Sequence, residues 1–277
     1  MAEPRAPRPL NPASRGEAPG RGRLTGRRIL VVGGGQRVVD PESDPIGNGR
    51  AMCMLFAREG AKVGVADANL DAAKATCERI RSEGGDGVAL EADVRDEHSV
   101  KRLFEDARAA LDGLDGVVFN VGIFGGVGLD RPLAEWDEVL AVNLRGAMLV
   151  GREALSNLEP GGSMVLTSSV AGFKPGSQMV AYDASKAGLS GVMRYLAREG
   201  APRDVRVNIV VPGLVDTPNG RAAGAGRPSR GTGANLPFRR QATGWEIAYA
   251  SLFFMSDESA YVTAQHLAVD CGIIGMT

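Results

Sequence analysis

Cysteine is scarce in this sequence. Cys53, Cys77 and Cys271 are the full complement among 277 residues, far apart and without a CxxC pair. An odd, scattered set argues against a disulfide framework and against a zinc site of the usual spacing; a reducing, cytoplasmic setting fits best. Histidine is scarcer still. His98 and His266 fall at the start of a helical and of a strand-like stretch, no His/Asp/Glu cluster of ligand type appears, and no metal is expected. Charge of one sign is not in excess either: 32 basic and 33 acidic side chains leave a net charge of −1, so nucleic acid is not an expected partner of the whole molecule. No apolar run approaches the ~20 residues that span a bilayer, and no membrane is expected. What is present is a chain that is 44% hydrophobic, enough for one large core or two small ones.

The first 28 residues differ from the rest, with seven arginines, five prolines and almost no large apolar side chains. Such a stretch buries too little surface to offset its ordering entropy, so residues 1–22 read as a disordered tail and 23–277 as one domain. An Arg-rich tail can touch an anionic surface; a solvated extension, or a start codon placed too early, is the plainer reading. The apolar residues after Arg27-Arg28 (ILVVGG) are too few for a signal-peptide core.

From Arg28 onward, short apolar runs alternate with longer stretches of helical spacing. The runs are 28–32, 62–66, 87–90, 116–119, 163–167, 205–210 and 266–270. Between them, residues 98–111 repeat Val100, Leu103, Phe104, Ala107 and Leu111, the i, i+3, i+4, i+7 stripe of one helix face. Buried strands alternating with amphipathic helices imply an α/β fold: a doubly wound, Rossmann-type, seven-stranded parallel sheet with helices on both faces. In such a sheet ligands bind beyond the carboxyl ends of the strands, so the residues just after each run carry the functional information.

After the first run come Gly33, Gly34 and Gly35, and thirteen positions beyond Gly34 comes Gly47-Asn48-Gly49. Neither cluster matches G-x-G-x-x-G, and alone they signal only a turn. The second run ends at Asp67, twenty residues after Gly47. A carboxylate there can accept hydrogen bonds from both hydroxyls of an adenosine ribose and repel a 2′-phosphate; the competing use is a helix N-cap. Asp93-Val94 follows the third run and suits an adenine edge. Asn120-Val121-Gly122 follows the fourth, where small residues let backbone approach a ligand. The fifth ends in Thr167-Ser168-Ser169. Thirteen residues after Ser169, YDASK sets Tyr182 and Lys186 at i, i+4, on one face if the segment is helical.

Taken together, residues 28–275 resemble the short-chain dehydrogenase/reductase family in its single-domain form. The family's catalytic Asn, Ser, Tyr and Lys match Asn143 (VNLRG), Ser169 (LTSSVAG), Tyr182 and Lys186. Asn120–Gly122 resembles its Asn-Ala-Gly turn. VPGLVDTP resembles the segment beside the nicotinamide, with Pro212, Gly213, Val215 and Thr217 near the ring; Ala264 and Cys271 stand where glycine is usual. The resemblance implies an oxidoreductase that interconverts a secondary alcohol and a ketone, as an alcohol dehydrogenase or carbonyl reductase. A phenol is a weak base near neutral pH, and an ammonium beside it favours the phenolate. Tyr182 would then be the acid/base, Lys186 its activator and a ribose ligand. Ser169 would stabilise the substrate oxygen, and Asn143 would anchor a water linking Lys186 to solvent. A homo-oligomer, commonly a tetramer, is a further expectation from the resemblance.

The family's phosphate loop is Thr-Gly-x-x-x-Gly-x-Gly. Here Gly33-Gly34 stands for its start and Gly47-Asn48-Gly49 for its close, with nine extra residues between. Lengthening a loop by that much costs on the order of 1 kcal/mol, so both ends can keep their places. The acids Asp40, Glu42 and Asp44 would be repulsive beside a pyrophosphate. The insertion is therefore expected to arch over the adenosine side as a solvated flap, with backbone N–H groups near Gly34, Gly35, Gln36, Asn48 and Gly49 holding the phosphates. Arg37 can receive a 2′-phosphate, but Asp67 followed by neutral Ala68 still favours NAD over NADP. Residues 216–243 correspond to a substrate lid whose composition suggests mobility. Arg221, Arg227 and Arg230 could meet an anionic substrate, though solvated arginines are the plainer reading. Phe124, Phe173, Met179, Leu214 and Val215 are expected to line an apolar pocket. The competing readings are an NADP(H)-dependent carbonyl reductase, such as a 3-oxoacyl reductase, and a dinucleotide-binding sensor without turnover.

Overall fold

A computed structural model describes residues 9–38, 40, 42–224 and 235–276. Seven strands form the expected sheet: β1 (Arg28–Val32), β2 (Lys62–Asp67), β3 (Asp86–Glu91), β4 (Gly116–Phe119), β5 (Ser163–Thr167), β6 (Arg206–Pro212) and β9 (His266–Val269). Their order is β3-β2-β1-β4-β5-β6-β9, and every pairing is parallel. Two short strands, β7 (Val215–Asp216) and β8 (Ala242–Thr243), pair separately beside the sheet. The helices are α1 (Asn48–Arg58), α2 (Leu70–Ser82), α3 (Glu97–Leu111), α4 (Leu133–Leu140), α5 (Gly146–Asn157), α6 (Val180–Gly200), α7 (Pro218–Gly224) and α8 (Gly244–Met255).

Strand alternation sorts side chains into two cores. Leu30, Val32, Val117, Phe119, Met164 and Leu166 join one face with residues of α3, α5 and α6. Ile29, Val31, Val118 and Val165 join the other, with residues of α1, α2 and α8. The central strands are buried on both faces, which is why they read as unbroken apolar runs. β1 lies between β2 and β4, so the strand order reverses there. A crevice opens at the carboxyl ends at such a point.

The tail is corrected in part. Residues 1–8 lie outside the described residues, but 9–22 are not disordered. Ser14 donates from Oγ to Glu246 (3.0 Å), and its carbonyl accepts from Thr243 Oγ1 (2.8 Å). Gly16 lies so close to the Trp245 indole that a Cβ would sit 2.1 Å from it. The buried Glu59 carboxylate, at the end of α1, accepts from the backbone amides of Arg21 (2.9 Å) and Arg23 (3.0 Å) and from the Arg23 guanidinium (2.6 Å). Burial pushes the Glu59 pKa up, but these donors outweigh it and hold the carboxyl below its ordinary range. Composition counts apolar surface; it does not register a buried acceptor 38 positions away that satisfies the strap's polar groups. Among the described residues, no helix is long and apolar enough to cross a membrane.

Candidate functional site

A cleft of about 1880 Å³ runs along the carboxyl ends of the strands. Its walls include Gly33, Gly35, Gln36, Gly47, Asn48, Gly49, Asp67, Asp93, Val94, Asn120 and Gly122 at one end. Ser169, Tyr182, Lys186, Pro212, Gly213, Val215 and Thr217 wall the rest.

The glycine loop is fixed by backbone. Gly33, at φ +83°, turns the chain out of β1, and its amide and that of Gly34 both donate to Ala66 O (2.8 and 3.0 Å). The Gly33 carbonyl accepts from Asn120 Nδ2 (3.1 Å). Gly49, in the first turn of α1, presses on the same carbonyl: a Cβ there would lie 1.9 Å from Gly33 O. Gln36 braces the base of the insertion. Its Oε1 accepts from Gly47 N (2.8 Å) and its Nε2 donates to Pro45 O (3.3 Å), so the two glycine groups stay together. Gly34, expected at the phosphates, is corrected: it does not line the cleft but is buried against Cys53 and Val65.

Asp67 Oδ2 accepts from Gly35 N (3.1 Å) and Oδ1 from Asn69 N (3.0 Å). It is not a helix cap: Asn69 caps α2, accepting from Asp71 and Ala72 amides. The Asp93 carboxylate is gripped by Arg95 (2.6 Å from Nη2), which also reaches Glu138 (2.6 Å). That hydrogen bond holds Asp93 below the ordinary carboxylate range. The Asn48 Oδ1 and Thr167 Oγ1 atoms are buried without a hydrogen-bond partner among the described residues. At the start of α1, Gly47 supplies no side-chain cap and the first turn carries no acid. The positive end of α1 therefore faces the cleft uncompensated. Uncapped amides, a glycine cradle and a carboxylate at the end of β2 fit a dinucleotide, with its pyrophosphate at the helix start and a ribose at Asp67.

At the other end, α6 carries Tyr182 and Lys186 one turn apart. Lys186 is buried at 3% exposure, its Nζ donates to Thr167 O (3.0 Å), and it lies 5.8 Å from the Tyr182 ring centroid. Burial pushes the ammonium down from 10.5 to about 8. Gly122 makes room for it: a Cβ there would stand 3.1 Å from Nζ. Ser169 ends the stretch after β5 and caps a short 3₁₀ turn, accepting from Ala171 N (3.2 Å). Gly172 packs that turn onto the backbone of Lys186, which fixes Ser169 against α6.

Asn143 packs beside Gly122, next to Lys186. It is fully buried in a π-helical turn (Ala141–Arg145) and does not line the cleft. Both ends of its side chain are engaged: Oδ1 accepts from Ile123 N (2.8 Å), while Nδ2 donates to Ile123 O (2.9 Å) and Ser185 Oγ (3.0 Å). The amide thus holds the strand-end segment after Gly122 against α6.

Phe124, Met179, Leu214 and Val215 line the cleft, and the Phe124 ring lies 4.8 Å from Tyr182. Phe173 is corrected. It packs edge-on against His266 (5.2 Å), outside the cleft. Arg221 is not offered to a substrate anion, because its fork is committed to Asp216 (2.7 and 2.9 Å) and to Ser43 O (2.9 Å). Arg227 and Arg230 lie outside the described residues. The acids Asp40, Glu42 and Asp44 do not line the cleft, although Arg37 of the same insertion does, and Ser43 O of the insertion meets Arg221 of α7. Sequence reading missed Gln36 as a brace, Arg95, Ser185, and Ile273 and Met276, which also line the cleft. Gln36, Arg95 and Ser185 each reach a partner at least nine positions away, Pro45, Glu138 and Asn143 respectively, which no local pattern announces.

Comparison with known proteins identifies the family. The family model described as enoyl-(acyl carrier protein) reductase matches residues 45–274, beginning inside the lengthened loop. The chain is 34% identical over 262 residues to glucose 1-dehydrogenase of Gluconobacter oxydans (strain 621H), covering 92% of this chain and 95% of that protein. It is 35% identical over 250 residues to the 3-oxoacyl-(acyl-carrier-protein) reductase of Homo sapiens, covering 89% and 98%. A crystal structure of a short-chain dehydrogenase/reductase from Burkholderia xenovorans superposes with a TM-score of 0.84 at 36% identity, covering 93% of this chain and all of that one. The chain belongs to the short-chain dehydrogenase/reductase family, oxidoreductases that bind a nicotinamide dinucleotide.

Proposed function

We propose that this protein interconverts a secondary alcohol and a ketone with NAD(H), using Tyr182 as acid and base. The observation that carries the reading is the placement of Tyr182, Lys186 and Ser169 on the same cleft as an uncapped helix start and Asp67. The glycine loop, Asp67 and Lys186 would hold the dinucleotide, which when bound accepts or delivers the hydride. In the oxidative direction Tyr182 Oη takes the hydroxyl proton of the alcohol as the C–H hydride departs; in the reductive direction it returns that proton to the carbonyl oxygen. Lys186 remains largely protonated at pH 7 with a pKa of about 8, and its charge beside the phenol favours the anion that serves as base. Ser169 Oγ would donate to the substrate oxygen and stabilise its negative charge. Asn143 acts indirectly, by holding Ile123 and Ser185; Ser185 Oγ in turn donates to the Tyr182 carbonyl (2.7 Å).

Asp67 at the ribose position supports NAD. A second reading, NADP(H), draws support from Arg37, which is exposed and lines the cleft, and the 3-oxoacyl reductase relatives accord with a reductive role. A panel of ketones and secondary alcohols, followed by NADH or NADPH absorbance, separates the two cofactors through kcat/KM. Tyr182→Phe tests the chemistry: turnover should fall by roughly 10³-fold, with dinucleotide affinity within about threefold of the parent. Undiminished turnover would remove Tyr182 from its role. A homo-oligomer is part of the same proposal; sedimentation measures it.

A further inference from the structure

The inserted turn has a structure of its own. The Ser43 hydroxyl donates to Asp40 Oδ2 (2.5 Å), Asp44 N donates to Asp40 O (2.9 Å), and Asp40 N donates to Asp44 Oδ2 (3.0 Å). Its base is closed by Gln36, and its exit is held under the start of α8. There, Gly244 leaves no room for a Cβ, which would lie 2.7 Å from Ile46 O. Its tip is met by Arg221 on α7. That guanidinium makes three hydrogen bonds at once: two to Asp216, in the strand just after the Pro212-Gly213 segment, and one from Nη1 to Ser43 O. Asp40 and Asp44 also face this cation, and their charges add to that of Asp216 in holding its proton. The three elements therefore meet at one side chain: the dinucleotide loop through its insertion, the nicotinamide-side strand through Asp216, and α7 through Arg221 itself.

We propose that Arg221 is a positioning residue that docks α7 onto the inserted turn, so that occupancy of the dinucleotide loop and order at the substrate end of the cleft are coupled. The inference rests on the dinucleotide reading of the cleft for its second half; the docking itself does not. It gives the insertion a task. The nine extra residues place a carbonyl and two carboxylates where α7 can be held, and the acids that would be repulsive beside a phosphate find a cation instead. A planar fork is needed to reach Asp216 and Ser43 together, which a lysine's single ammonium cannot do with the same geometry.

The test uses hydrogen exchange of the full-length protein, read at the α7 amides that donate to Thr217, those of Gly220 and Arg221. In Arg221→Gln and Arg221→Lys these amides should exchange about three to ten times faster than in the parent, the scale of an exposed charge-assisted contact. Amides of β4 and β5 should be unchanged. Excision of residues 37–45 restores the family's loop spacing, so this variant is expected to fold. In it the α7 amides should be fast already, and adding Arg221→Gln should change them by less than about 1.5-fold. Exchange that is unaltered in the Arg221 variants overturns the docking, whether or not the excised protein folds. Additive effects of excision and Arg221→Gln overturn the insertion as the docking partner. Saturating NAD, or NADP in a parallel sample, should slow the α7 amides in the parent and lose most of that effect in Arg221→Gln. Equal slowing in both proteins overturns the coupling. Failure of either dinucleotide to bind would instead count against the functional reading, leaving the ligand-free comparison to decide the docking.

Discussion

Gly33, Gly35, Gly47 and Gly49 wall one end of the cleft with backbone, whereas Phe124, Met179, Leu214 and Met276 wall the other with side chains. The difference has a physical origin. A pyrophosphate is recognised by amides and a helix dipole, which any sequence with room for close approach can present. A ketone's substituents are recognised by shape, which depends on side chains drawn from several distant segments. At Gly33, Gly35 and Gly49 the first end has no room for a larger residue, whereas Gly47 does. The second can vary widely while the fold stays the same.

The largest expected effect lies at the junction of the two ends. Lys186→Met should lower kcat/KM by roughly 10³-fold, since it removes the charge beside the phenol. The same change should stabilise the ligand-free protein. Burial lowers the Lys186 pKa from 10.5 to about 8, so below pH 8 the folded protein carries a desolvated cation whose cost is on the order of 3 kcal/mol. Loss of the bond to Thr167 O returns about 1 kcal/mol of that. Between pH 8 and 10.5 the folded state binds fewer protons than the unfolded one, so the parent's stability should rise with pH in that window. The variant should lack the rise. Urea titrations at pH 7 and pH 10 measure both; a parent whose stability falls across this window would contradict the burial argument.

Next in size is Gly49→Ala. Its new methyl meets the Gly33 carbonyl at 1.9 Å, and neither atom belongs to a flexible side chain, so loop and helix start must separate. Dinucleotide affinity, by NADH fluorescence titration, should drop by about 10²-fold. Gly191→Ala is the control, since nothing lies within 4 Å of that site. Equal losses in both variants would mean that the backbone wall is less strict than the comparison holds.

Lys186, Tyr182 and Ser169 are readable because strand end and helical i, i+4 spacing are local patterns. Asp67 is readable from its distance to the glycines, and the sheet from seven apolar runs. Gly34 and Gly35 look alike in sequence, yet one turns into the core toward Cys53 and the other toward Asp67; only the φ +83° turn at Gly33 decides which. The bonds of Asn143 are not readable, because its partners, Ile123 and Ser185, lie 20 and 42 positions away. The strap over residues 9–22 is illegible for the same reason. Glu59→Gln tests it: the buried acceptor loses its charge while two amides and a guanidinium still point at it. Stability should fall by about 2–3 kcal/mol at pH 7. In the parent, this contribution is present above the ordinary glutamate pKa and is lost as pH falls through the depressed value, so parent and variant should converge in acid. Catalysis at neutral pH should be nearly unaffected, which separates a scaffold element from the cleft.

The smallest effect belongs to the substrate wall. The chain turns at Cys271 and Gly272, both at positive φ, and the Asp270 carboxylate accepts from Gly272 N and Ile274 N (2.8 Å each). Asp270 also packs on Gly213, whose Cβ would lie 2.8 Å from its Cα. The C-terminal turn is thus fastened to the Pro212-Gly213 segment, and it lays Ile273 and Met276 along the cleft. Met276 is 71% exposed, so it contributes a movable apolar surface rather than a fitted pocket, as an unbranched thioether does. Met276→Ala should therefore raise KM by about two- to threefold for a bulky apolar ketone and leave KM for a small one within error. Changes of equal size for both ketones would mean that the residue acts on the cofactor segment through Asp270 and Gly213, and the substrate end would then be as backbone-determined as the other.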